Sequence, residues 1–403
     1  MKKLIYIFAI IIAMQTANAQ QFGGGDGLSE GTAYLIESQA HLEELATDVN
    51  NGNSYAGKYF IVMNDIIYNV RNVIGNSNRR FEGIFDGQNY KITLAINLST
   101  TDYIGLFGNV SGVIKNIIVD GYVIGNNNVA GIIGYAYYYT TVTNCKNLAY
   151  IIGNNNVAGI IGLEGSRSLT ITDCMNSGDI IGNNNVAGII GIASQGGSTI
   201  INCMNLGNII GEDYVGGIIG RNTGGGSVKM IDCINSGNII GNDYAGGIIG
   251  SNSGGGYLTT TNCMNSGNII GEDYVGGIIG RNTGGGHATI TNCMNSGSII
   301  GNNYVGGIVG SYAGGGIVTI TNCMNSGSII GNNYVGGIAG GLSMSYSIVI
   351  EIVANYGYVK GTLYTGGIAG EYNYYNNGKI ENTFNTGVVE GPAGTTGAII
   401  DDQ

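Results

Sequence analysis

Tryptophan is absent from this 403-residue chain, proline occurs once and histidine twice. Charged residues make up only 10% of it, with 15 Lys and Arg against 26 Asp and Glu. Each shortage excludes something. With one proline, and glycine falling at no fixed third position, 75 glycines do not make a collagen. A net charge of −11 argues against nucleic acid or an anionic membrane as a partner. His41 and His287 alone give a Ser-His or Cys-His catalytic site no support. The Gly-rich stretches lack GxxxxGK[ST], so they are not phosphate loops. No CxxC cluster is present to bind a transition metal, and no cofactor is expected.

What is abundant is Gly, Asn, Ile, Val, Thr and Tyr, the composition of short strands separated by tight turns. At the N-terminus, Lys2 and Lys3 precede the apolar run Leu4–Met14 and the small-residue site Ala17-Asn18-Ala19. Residues 1–19 therefore read as a secretory signal peptide, because the run is too short to span a bilayer. No transmembrane segment is expected, and the destination is the extracellular space or cell surface, or the periplasm. Ser38 reads as the N-cap of an amphipathic helix with Leu42, Leu45, Ala46 and Val49 on one face and Gly52 as its stop.

The block TITNCMNSGSIIGNNYVGGI at Thr289–Ile308 recurs unchanged at Thr319–Ile338, and looser copies extend both ways. Ten four-residue Gly-x-x-Gly motifs, starting from Gly105 and ending with the copy at Gly367, settle to a 30-residue spacing. Each repeat holds three apolar stretches too short for helices and bounded by Gly or Asn. One repeat cannot bury its apolar face, whereas stacked repeats can, with each residue meeting its own kind ~4.8 Å above and below. The expectation is an all-β parallel β-helix of about ten coils, right-handed by the crossover rule. Its divisions are a signal peptide at 1–19, a helix-containing capping region at 20–100 and the array at 101–403.

The motif Gly105-Leu106-Phe107-Gly108, with its later GIIG, GIVG and GIAG copies, resembles that of the GLUG-motif repeat proteins. That resemblance implies a β-helix on an extracellular bacterial protein, often adhesin-like. Some relatives carry a zinc peptidase domain, but this chain has no HExxH and that activity is not carried over.

Stacking assigns roles to whole columns. Asn176, Asn205, Asn235, Asn265, Asn295 and Asn325 belong to one Asn column, read as an amide ladder tolerant of a left-handed turn. Cys174, Cys203, Cys233, Cys263, Cys293 and Cys323 follow the repeat and, with Cys145, give an odd count, so they read as small buried apolar residues. Asp213, Asp243 and Asp273 are weak calcium candidates set against a solvated acidic edge. Pairs such as Thr289/Thr291 should face outward if Ile290 points inward, and a Tyr column from Tyr214 to Tyr364 should stack at a corner. Two aromatic loops where the repeat breaks are the ligand-contact candidates: Tyr135, Tyr137, Tyr138 and Tyr139, and Tyr372, Tyr374 and Tyr375.

No catalytic residue emerges, because a catalytic site needs one unique constellation and this array repeats itself; Gly207–Gly226 recurs letter for letter at Gly267–Gly286. The expected function is a secreted, non-enzymatic, adhesin-like scaffold that binds an extracellular protein or glycan. The alternatives are a β-helix polysaccharide lyase or hydrolase and a self-associating surface component.

Overall fold

The computed structural model of the chain describes residues 22–165, 168–194, 196–343, 346–373, 378–392 and 396–397. The proposed signal peptide lies outside the described residues. Every inter-turn ladder is parallel and most are in register, so the chain is an all-β parallel solenoid of about 12 turns with one helix near its N-terminus.

One turn shows why. Leu258–Thr261 places Leu258 and Thr260 inside and leaves Thr259 and Thr261 half-exposed, the alternation a strand imposes. Met264–Asn265 and Ile269–Ile270 follow, then Asp273–Gly276 and Ile279–Asn282, before Ala288–Thr291 stacks in register on Leu258–Thr261. The Ile290 position is inward and its flanking Thr residues face out, as the pattern predicts. Among the described residues, the sheet built from these Thr-bearing strands has thirteen members, a rod on the order of 60 Å long.

That sheet begins earlier than expected. Its first three strands are Tyr34–Ile36, Tyr59–Val62 and Ile84–Asp86, all within the stretch assigned to the capping region. The helix α1 (Gln39–Asn50) is inserted in the first turn, between two strands that pair directly. Ser38 accepts a hydrogen bond from the His41 backbone N–H, and Leu42, Leu45, Ala46 and Val49 are buried, as read from sequence. Core composition also changes along the rod. Phe60, Phe81, Phe85 and Phe107 fill the first turns with ring contacts, while Ile, Val and Cys fill the rest.

The Gly-x-x-Gly motif has a steric cause. A Cβ on Gly277 would lie 2.0 Å from the Gly307 carbonyl oxygen and 2.6 Å from Asn295 Cγ. One on Gly280 would lie 2.5 Å from the Gly250 carbonyl oxygen. Both glycines sit where neighbouring turns touch backbone to backbone, and Ile278 and Ile279 between them are fully buried.

Candidate functional site

Most sequence-singled columns are bonded or packed between neighbouring turns. Asn147 through Asn355 are completely buried. Each Nδ2 donates to the Oδ1 one turn on, at 2.7–2.8 Å, and to the carbonyl two residues ahead. The left-handed backbone expected of this column belongs instead to the one before the cysteines. There Asn144, Asp173, Asn202, Asp232, Asn262, Asn292 and Asn322 have φ of 51–57°. The first column sits in extended strand, where burial demands its hydrogen bonds; the second sits at the bend, where Asn and Asp tolerate positive φ. All seven cysteines are buried and free. Burial, joined by hydrogen bonds with Cys145 and Cys203, pushes the Cys174 thiol well up. At the end of the column, Cys323 is lowered instead, through the hydrogen bond from Cys293.

The acidic column is also hydrogen-bonded. Asp213 Oδ1 accepts from the Asp243 N–H, Asp243 Oδ1 from the Asp273 N–H, and Asp273 Oδ1 from the N–H and Nδ2 of Asn303. Among the described residues, no three His, Cys, Asp or Glu side chains converge in a way that could hold a metal ion. Burial raises the Asp243 carboxyl, and repulsion from Asp273, Asp213 and Glu272 adds to it despite the hydrogen bond from Asp273.

The first tyrosine run does converge, from Tyr135 in the strand Ile133–Ala136 into the loop that follows it. Tyr135 and Tyr137 have ring centroids 5.6 Å apart, Tyr137 and Tyr138 meet edge to face at 4.3 Å, and Tyr139 lies 6.3 Å beyond. Tyr139 is 71% exposed. Tyr138 and Tyr139 both carry positive φ, an uncommon conformation for bulky residues, held by hydrogen bonding at the base of the loop. The buried Thr140 hydroxyl lies 2.8–3.2 Å from the carbonyls of Val110, Tyr137 and Tyr138, and Ser111 Oγ donates to Tyr138 O.

Two members escaped the sequence reading. Tyr103 packs on Tyr135 at 5.6 Å, and the Arg80 guanidinium lies 4.9 Å from the Tyr137 ring centroid. Tyr103 holds the same left-handed corner as Asn128 one turn later. It stands one residue nearer its motif glycine, so alignment on the motif hides it. Arg80 lies in the irregular early turns and carries no periodic signal. Beside the cluster is a polar cavity of about 300 Å³ lined by Ser54, Asn78, Arg79, Arg80 and Glu82. Arg80 pairs with Glu82 at 2.6 Å. Burial alone would raise Glu82, but hydrogen bonds from Ser54 and Arg80 outweigh it and hold the carboxyl below the usual range.

Of the second aromatic run, only Tyr372 lies within the described residues. Tyr372 ends the strand Ala369–Tyr372, pairs in register with Leu342 and packs against the core, so it is not a free loop tip. Tyr374 and Tyr375 lie outside the described residues.

The GLUG-motif family model matches residues 271–300, so the chain carries this motif. The chain is 30% identical over 142 residues to a "Putative Gly-rich membrane protein" of Evansella cellulosilytica, a match covering 32% of this chain and 16% of that relative's length. A crystal structure of "a putative immunoglobulin A1 protease from Bacteroides ovatus" superposes with a TM-score of 0.49 at 20% identity, covering 70% of this chain and 80% of that one. Among the described residues, no helix is long and apolar enough to cross a membrane.

Proposed function

We propose that this protein is an exported, adhesin-like β-helix scaffold that binds an extracellular glycan or protein through the Tyr103–Tyr139 cluster. The observation that carries the reading is the convergence of five tyrosines and Arg80 where the repeat is least regular. Tyrosine rings give large, amphipathic contact area at little entropic cost. Two arginines against one glutamate in the adjoining cavity favour a hydroxyl-rich glycan bearing carboxylate or sulfate groups. The repeated turns act as a rigid spacer that holds this surface away from its attachment.

Purified protein should be tested on a glycan array and on immobilised matrix proteins beside the variant Tyr137→Ser/Tyr138→Ser/Tyr139→Ser. Loss of at least about tenfold in affinity is expected, consistent with several aromatic contacts. Unchanged binding by the variant would reject this loop. Release of reducing ends from polysaccharides by the wild-type protein would replace the scaffold reading with an enzymatic one.

A further inference from the structure

We propose that two copies of this chain pair side by side through the flat face formed by the Met-Asn and Ile-Ile ladders. This inference does not rest on the ligand reading above. Consecutive residues of a strand point to opposite faces, so only the first Ile of each Ile-Ile pair can be inside. Ile209, Ile239, Ile269, Ile299 and Ile329 are fully buried, whereas Ile210, Ile240, Ile270, Ile300 and Ile330 are 37–45% exposed. Six residues earlier in each turn, Met204, Ile234, Met264, Met294 and Met324 form a second, half-buried apolar row. Exposed Ser and Asn rows lie between, with Leu206 replacing Ser at one end, beside a mostly apolar hollow of about 400 Å³ at Tyr150, Ile181, Ile210 and Ile240.

Three observations identify the occupant as a second copy. First, from Met204 to Ile330 the outward positions of this face carry no charge, although the chain carries −11 overall. Charge resumes at its ends, with Lys146 and Asp179 on one side and Lys360 and Glu390 on the other. Two such faces can approach without like-charge contact, as two copies of the Asp213, Asp243 and Asp273 edge cannot. Second, the rows repeat every ~4.8 Å over several turns, and a surface of equal period is what keeps Ile and Met rows interdigitated along that length. This chain supplies that period itself, since the Ile210, Ile240, Ile270, Ile300 and Ile330 ladders pair residue for residue. Third, the five turns from Met204 to Ile330, on a side seven residues wide, present about 550 Å² in projection, roughly two thirds of the ~800 Å² each partner contributes to a stable interface.

Sedimentation equilibrium of the purified protein at micromolar concentrations, with circular dichroism as a fold control, tests the proposal. The wild type should be dimeric. Ile240→Lys/Ile300→Lys should raise the dimer dissociation constant tenfold or more with an unchanged spectrum. Ile240→Thr/Ile300→Thr, which keeps the β-branch, should weaken pairing in the same direction and decides the matter if the lysine variant does not fold. Thr259→Lys/Thr319→Lys, on the face where Lys229 already stands in register with Thr259, should leave the dimer intact. A monomeric wild type overturns the proposal, including one whose Ile rows capture lipid vesicles or an unrelated protein. So does a dimer that both isoleucine variants retain, or one that the threonine-face control dissolves equally.

Discussion

One corner of the solenoid is built in two ways. Asn128, Asn156 and Asn185 hold it in three successive turns, and Tyr214, Tyr244, Tyr274, Tyr304, Tyr334 and Tyr364 hold it in the six that follow. The backbone is the same, with φ of 55–57° for the asparagines and 52–62° for the tyrosines. The asparagines join amide to amide at 2.7–2.8 Å. The tyrosines stack at 4.6–5.2 Å with rings within 4–11° of parallel. Left-handed backbone is cheap for Asn and costs about 1–2 kcal/mol for other L-residues. Ring stacking, worth about 0.5–1.5 kcal/mol per pair, offsets that cost only when each Tyr has a Tyr neighbour. The join between the two is visible: Asn185 Oδ1 is buried without a hydrogen-bond partner, and Arg221 covers the exposed end of the stack 4.2 Å from the Tyr214 ring centroid. Tyr103 occupies the same corner at the other end of the asparagines, too far from the stack, and turns to Tyr135 instead. A tyrosine excluded from the stack thus becomes part of the candidate binding cluster.

The strongest way to probe this comparison is against the fully buried ladder. Asn265→Leu removes one link and leaves Asn235 Nδ2 and Asn295 Oδ1 each short of a partner, so it should cost about 3 kcal/mol by urea denaturation, more than any corner change. Within the stack, Tyr274→Ala loses contacts to Tyr244, Tyr304 and Arg281 while keeping the unfavourable φ, and should cost about 2 kcal/mol. Asn156→Tyr places a lone ring between two amides and should cost about 1 kcal/mol. Changing Asn128, Asn156 and Asn185 together to Tyr should recover most of it by joining Tyr103 to Tyr214.

A smaller effect, of opposite sign, is expected at Ile352. It holds the left-handed bend at φ 54° where Asn322 and Asn382 stand one turn either side, so Ile352→Asn should stabilise by about 1 kcal/mol in thermal melting. The smallest concerns Asp243. Its folded carboxyl titrates above its ordinary 3.8, so the folded chain binds that proton more readily than the unfolded one. Stability is therefore lost as pH rises through this window. Asp243→Asn should stabilise by about 0.5 kcal/mol at neutral pH, an advantage that fades below pH 3.8.

The array was readable because identity at 30-residue spacing already encodes stacking, and the Asn, Cys, Thr and Tyr columns followed with it. The helix was readable from its cap and apolar stripe. Less of the candidate site was visible. Tyr135 to Tyr139 announce themselves as a run, but Arg80 and Tyr103 reach them only through the stacking of turns of unequal length. Tyr372 looked like a loop residue because its run of tyrosines hid the strand ending at that position.

The sequence by itself determined that the chain must stack, and which residues meet their own kind. Stacking buries repeated apolar stretches that a single repeat cannot, so the pattern carries much of the information in the fold. Only the tertiary structure decided which asparagine takes the bend and which the interior, and that the second Ile of each pair faces outward. It also brought Arg80 over Tyr137. Those outcomes depend on the side each residue faces and on contacts between turns, which spacing along the chain does not specify.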